Sequence, residues 1–118
     1  MSTVLPQLLA DWKKAFDEHH VDDMGALFTE DALFQGFGPD VLVGREAVKG
    51  YYDALPDNRS TDFEVLHEYE VAPEAVAGFA DVTFSDTTGW SVRVHLSLVA
   101  RADDGTWRIR QYHVSIIE

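Results

Sequence analysis

Cysteine is absent from the sequence. That excludes a disulfide framework, a thiol nucleophile and a thiolate metal site. Positive charge is scarce: nine Lys and Arg stand against 21 Asp and Glu, a formal net charge of −12. So acidic a chain repels nucleic acid and anionic membrane, and neither is expected as a partner. Long apolar runs are also missing, none approaching the ~20 residues that span a bilayer. The start, MSTVLPQLLADWKK, lacks a basic leader region and a long apolar core, so no signal peptide is read there and a soluble cytoplasmic protein is expected. There is no repeat, no low-complexity tract and no linker. With 118 residues, 46% of them hydrophobic and 12% aromatic, the chain has enough apolar material for one core and too much for disorder. A single domain over residues 1–118 is the expectation.

What is present separates into a helical first half and a stranded second half. Leu5, Leu8, Leu9, Trp12, Ala15 and Phe16 fall on one face of a helix that should run to about Glu18, with Ser2 or Thr3 as N-cap. His19 and His20 follow at its end. Neighbours in sequence do not face each other on a helix, so they form no metal pair. Asp22 opens a short second helix carrying Met24, Leu27 and Phe28. Ala32 to Phe37 reads as a strand closed by Gly38-Pro39. Gly44 precedes a third helix, Arg45 to Leu55, with Val48, Tyr52 and Leu55 on one side and Tyr51 beside them.

From Asp62 onward the period is two. Phe63, Val65, His67, Tyr69 and Val71 alternate with Glu64, Glu68 and Glu70, which gives that strand an inside and an outside. Val76 to Ser85 is the next strand, and Thr88-Gly89 reads as a two-residue hairpin turn. That turn pairs Phe84 with Arg93, Val82 with His95 and Ala80 with Ser97. The last two strands, within Ser91 to Ile117, meet at a turn over Ala102 to Thr106. With Arg101 opposite Trp107, Val99 pairs with Ile109, Ser97 with Gln111 and His95 with His113. One face then carries His95, Ser97, Gln111 and His113, together with Val76, Gly78, Ala80, Val82 and Phe84. The other carries Phe79, Val94, Leu96, Leu98, Tyr112 and Val114.

Helices followed by a strand meander in so short a chain predict an α+β fold, a cone-shaped, curved antiparallel sheet wrapped by three N-terminal helices. On this register the histidine face looks at the helices and lines a hollow. The apolar face of Phe79, Val94, Leu96, Leu98, Tyr112 and Val114 is left uncovered, and a homodimer through it is expected.

Three blocks in order, ALFTEDALFQGFGP, VGREAVKGYY and DGTWRIRQYHVS, resemble the nuclear transport factor 2-like superfamily in its SnoaL-like branch, and within it the SgcJ/EcaC group. The resemblance spans nearly the whole chain and implies the cone fold. It implies a role in bacterial secondary metabolism, on a polyketide-like or other planar hydrophobic molecule. It does not fix a reaction, because the fold hosts isomerases, dehydratases, epoxide hydrolases, cyclases and proteins without chemistry. The ketosteroid isomerase relatives use a tyrosine, a base aspartate and a protonated aspartic acid. In this chain those positions fall at Trp12, at or beside Gly36, and near Ser97. Only a supporting tyrosine matches, at Tyr52. That mechanism is therefore excluded.

The candidate ligand-binding residues are Trp12, Phe16, Phe34, Tyr52, Val82, Phe84 and Ser97, and the candidate catalytic residues are His113, His95 and Gln111. Three readings stay open, one of them a purely structural oligomerisation module with a filled interior. In the first, His113 or His95 is the acid or base of a cofactor-independent proton transfer such as cyclisation, isomerisation or dehydration. In the second, the histidines only satisfy each other in a polar interior, and the protein shields a hydrophobic intermediate without chemistry. A zinc site from His67, His95 and His113 lacks ligand spacing, so no metal is expected. No Gly-rich dinucleotide fingerprint is present, and no cofactor is expected.

Overall fold

The structure, a computed structural model, describes residues 3–117. Three helices precede and interrupt the sheet: α1 (Val4–Asp17), α2 (Val21–Ala26) and α3 (Arg45–Asp53). The strands are β1 (Phe28–Gln35), β2 (Leu42–Val43), β3 (Arg59–Ala72), β4 (Ala75–Asp86), β5 (Ser91–Asp103) and β6 (Thr106–Ile116). They form one curved sheet in the order β2-β1-β6-β5-β4-β3. Neighbouring strands are antiparallel except β1 and β6, which run parallel. The α+β cone expected from the sequence is the fold observed, with that one parallel pair added.

Helix α1 forms where the apolar spacing placed it and buries the six residues named for its inner face, Leu5, Leu8, Leu9, Trp12, Ala15 and Phe16. Its first-turn N–H at Leu5, which has no partner within the helix, donates to Glu68 Oε1 of β3 at 2.9 Å. Its last residue, Asp17, accepts the Thr61 backbone N–H at 2.9 Å and Lys13 Nζ at 2.7 Å. The helix is thus fastened to β3 at both ends. It also lies so close to β4 that a Cβ on Gly78 would sit 2.7 Å from Leu5 Cδ1 and 2.0 Å from the His67 carbonyl oxygen. Phe28, expected on the second helix, instead opens β1. The Ile109 N–H donates to the Leu27 carbonyl at 2.7 Å, so pairing with β6 begins as soon as the helix ends.

Two turns decide which side of the sheet each residue faces. The β4–β5 loop is three residues long, Thr87 to Gly89, since Ser85 pairs with Ser91 and the Asp86 N–H donates to the Trp90 carbonyl at 3.1 Å. Gly89 supplies the positive φ, 96°, that this loop needs. One residue more than the expected two-residue turn shifts the register by one. A shift of one turns every side chain of β5 to the opposite face. Val82 therefore pairs with Val94, Ala80 with Leu96 and Asp81 with His95. The β5–β6 turn is the two-residue Asp104-Gly105, both at positive φ as a type I′ hairpin requires. An irregularity beside Val99 and Ala100 then brings Ser97 opposite His113 and Val99 opposite Gln111.

The expected faces are therefore exchanged. Val94, Leu96, Leu98, Tyr112 and Val114, expected on an uncovered outer face, are buried in the core beneath the helices. His95, Gln111 and His113 are exposed on the outer face, with Ser97 half-buried beside them. Phe79 is the one member of the expected outer apolar set that is exposed, at 50%. Covering an apolar side chain of this size stabilises by about 1.5–3 kcal/mol. The arrangement that buries Val94, Leu96, Leu98 and Val114 and leaves imidazoles in water is the one this energetics favours.

Candidate functional site: an aromatic cleft at the mouth of the cone

The interior of the cone is filled with rings. Trp12 and Phe16 come from α1, Tyr52 from α3, Phe28 and Phe34 from β1, Phe84 from β4 and Tyr112 from β6, and all seven are buried. Phe34 stacks on Tyr112 with centroids 4.4 Å apart and planes at 12°. Trp12 meets Phe84 edge-on at 5.9 Å, and Tyr52 meets Phe34 edge-on at 5.5 Å. Such edge and offset contacts are the arrangements aromatic quadrupoles favour. The indole N–H of Trp12 donates to the Tyr52 hydroxyl at 3.1 Å. The Tyr112 hydroxyl interacts with the same oxygen. Three polar atoms in an otherwise apolar interior thus partner one another, as buried polar groups must.

Burial pushes the Tyr52 phenol well above its ordinary value, and the hydrogen bonds from Trp12 and Tyr112 only partly offset this. Tyr112 is raised too, first by burial and then by the neighbouring Tyr52. Both are neutral hydroxyls at any physiological pH.

Toward the open end, the rings give way to a cleft lined by Phe16, Gly36, Phe37, Tyr51, Tyr52, Leu55, Arg59, Phe84, Tyr112 and Val114. As the rings stand, its cavity is only about 10 Å³, the lower limit for holding one water. The Tyr51 ring closes one wall by lying over Gly36, where a Cβ would sit 2.3 Å from its hydroxyl oxygen. At the rim, Phe37 packs against Phe84 at 5.2 Å and Trp90 at 6.4 Å. Arg59 stacks on the Trp90 ring at 4.4 Å. A second hollow of about 10 Å³ lies behind Phe16, Tyr52 and Leu55, with His19 and His20 among its lining residues.

Six of the seven expected ligand-binding residues come together here. Phe16, Tyr52 and Phe84 line the cleft, whereas Trp12, Phe34 and Val82 form the packed floor beneath it, each no more than 1% exposed. Ser97 does not join them, because it faces outward with His113. Nor do the expected catalytic residues. His95, Gln111 and His113 share a face as the alternation indicated, but it is the outer one. There Asp81, opposite His95, takes Arg93 Nε at 2.9 and 3.0 Å. An imidazole on that side is separated from the cone's interior by the thickness of the sheet. Among the described residues, no three His, Asp or Glu side chains converge as a metal ion would require.

Sequence reasoning missed Phe37, Arg59 and the inward placement of Tyr112 and Val114. For Arg59 a signal existed: it is the only Lys or Arg between Lys49 and Arg93. A lone cation in an acidic stretch, next to the Pro56-Asp57-Asn58 helix stop, sits where the cone opens.

Residues 5–118 match the SnoaL-like domain family, and the chain belongs to it. Solved structures agree on the fold. A ketosteroid isomerase-like protein from Erwinia carotovora atroseptica superposes with a TM-score of 0.83 at 17% identity, over 98% of this chain and 95% of that one. A hexachlorocyclohexane dehydrochlorinase of type 2 gives 0.83 at 14% identity, over 98% and 84% of the two chains. A putative calcium/calmodulin-dependent protein kinase II association domain from Xanthomonas campestris gives 0.82 at 18% identity, over 96% and 85%. These identities speak to fold alone, and the neighbours include enzymes and an association domain. No curated protein matches the sequence.

Proposed function

We propose that this protein binds a small, planar hydrophobic molecule at the mouth of its cone and shields it, without carrying out proton transfer on it. One observation carries the reading: the residues lining the aromatic cleft include no carboxylate and no imidazole. Its polar groups are three tyrosine hydroxyls and one guanidinium. Apolar walls with a few fixed polar groups are the usual make-up of a ligand site. A general acid or base working near neutral pH is absent from that set. The ligand's ring takes the place of Phe37, which is 36% exposed and seals the rim. The resemblance to the SgcJ/EcaC group makes a polyketide-like intermediate of bacterial secondary metabolism the natural occupant.

The experiment is titration with 2-naphthol, a neutral planar probe, followed by aromatic NMR signals and by product analysis. Saturable shifts of Tyr51, Tyr52 and Phe37, with His95 and His113 unmoved, are the expected result. A pathway intermediate converted by the wild type but not by a His113→Ala variant overturns the reading in favour of an enzyme.

The outer face presents Phe79 with the half-buried Val99 near it, and a second copy of the chain would cover them.

A further inference from the structure

We infer that Arg59 makes the cleft selective for an anionic ligand, a compact aromatic carboxylate whose ring enters the place Phe37 vacates, between Tyr51 and Phe84, and whose carboxylate meets the guanidinium. The inference rests on the cleft being a ligand site. Arg59 contributes the only charged side chain among the lining residues. Its Nε is buried and has no hydrogen-bond partner. A guanidinium N–H left without an acceptor in a low-dielectric wall is costly, and a carboxylate is the group that satisfies it with a pair of parallel hydrogen bonds.

The neighbouring acid does not serve that purpose. Asp86 stands opposite Arg59 across β3 and β4, but its Oδ1 is taken by the Thr88 N–H at 2.8 Å, the Thr88 hydroxyl at 2.6 Å and the Trp90 N–H at 3.2 Å. That oxygen is committed to shaping its own loop, and the carboxylate reaches Arg59 through charge and not through a hydrogen bond to Nε. The same loop presents the Trp90 ring on which the guanidinium stacks at 4.4 Å, which fixes the plane of the fork before a ligand arrives. The Tyr51 hydroxyl, which takes the Phe37 N–H only at 3.5 Å, keeps its own proton free for a second carboxylate contact. In a chain of net charge −12, holding against an apolar cleft a cation whose Nε has no acceptor, although Asp86 feels its charge, is an arrangement that discriminates by charge rather than by general attraction.

The test compares 2-naphthoate with the neutral 2-naphthamide, which has nearly the same shape, by calorimetric or NMR titration of the wild type, Arg59→Gln and Arg59→Lys. The expected result is that the wild type prefers the carboxylate at least tenfold. Arg59→Gln should lose that preference while still binding the amide, and Arg59→Lys, which keeps charge but not the planar fork, should recover only part of it. Equal binding of the two probes by the wild type, or an unchanged preference in Arg59→Gln, overturns the role of Arg59 and leaves the ligand site standing. Failure of both probes to bind the wild type overturns the site as well. A direct readout is the Arg59 Nε–H NMR signal, which should shift on addition of naphthoate and not of naphthamide.

Discussion

The Trp12 indole N–H and the Tyr52 hydroxyl meet at 3.1 Å in the buried centre of the cone, tying α1 to α3 at the level of the floor. Tyr52→Phe removes the acceptor and strands a buried donor, which costs about 1–3 kcal/mol. Urea unfolding should show a lower midpoint at unchanged slope. Pairing the change with Trp12→Phe, which removes the donor as well, should give a nonadditive cycle.

The same hydroxyl predicts how the fold responds to alkali. Burial raises Tyr52 and Tyr112 above the ordinary tyrosine value, so the folded state keeps protons that the unfolded state releases. Stability is then fully present below about pH 10, the ordinary phenol value, and falls as pH rises above it. Absorbance at the phenolate band and circular dichroism should be followed together. Part of the phenolate signal should appear only with the unfolding transition, and that part should shrink in Tyr52→Phe.

Gly78 lies where α1 crosses the bend between β3 and β4. A methyl there would be 2.0 Å from the His67 carbonyl oxygen, a backbone atom that can yield only if the strands part. Gly78→Ala should cost at least the 1–3 kcal/mol typical of an overfilled core, read as a drop in thermal midpoint.

Replacing both His95 and His113 by alanine should leave stability within about 0.5 kcal/mol of the wild type, as for ordinary exposed positions. Binding of 2-naphthol should be unchanged, because neither residue lines the cleft. A loss of binding would show that the outer face communicates with the mouth.

Self-association through the outer face predicts that Phe79→Glu gives a monomer at concentrations where the wild type sediments as a dimer. Sedimentation velocity distinguishes the two. Tyr51→Ala, on the other side of the sheet, should leave the mass unchanged.

The α1 face, the three helices and the family were legible because they rest on local periodicity and on blocks of contiguous residues. Which side of the sheet the histidines occupy was not. That depended on a single residue, since Thr87-Thr88-Gly89 and Thr88-Gly89 are both plausible hairpin loops and differ by one in length. A better arbiter was present in β5 itself. Val94, Leu96, Leu98 and Ala100 form a continuous apolar row that belongs against the helices, while His95 and Ser97 tolerate water at little cost. The parallel pairing of β1 with β6 carries no local signal at all, because it joins segments about two thirds of the chain apart.

Strand β3 is one of the two edges of the sheet, 14 residues long, with exposed Asp62, Glu64 and Glu70 along it. Two such borders brought side by side would set anion against anion. Pairing of one copy to another along β3 is thereby opposed.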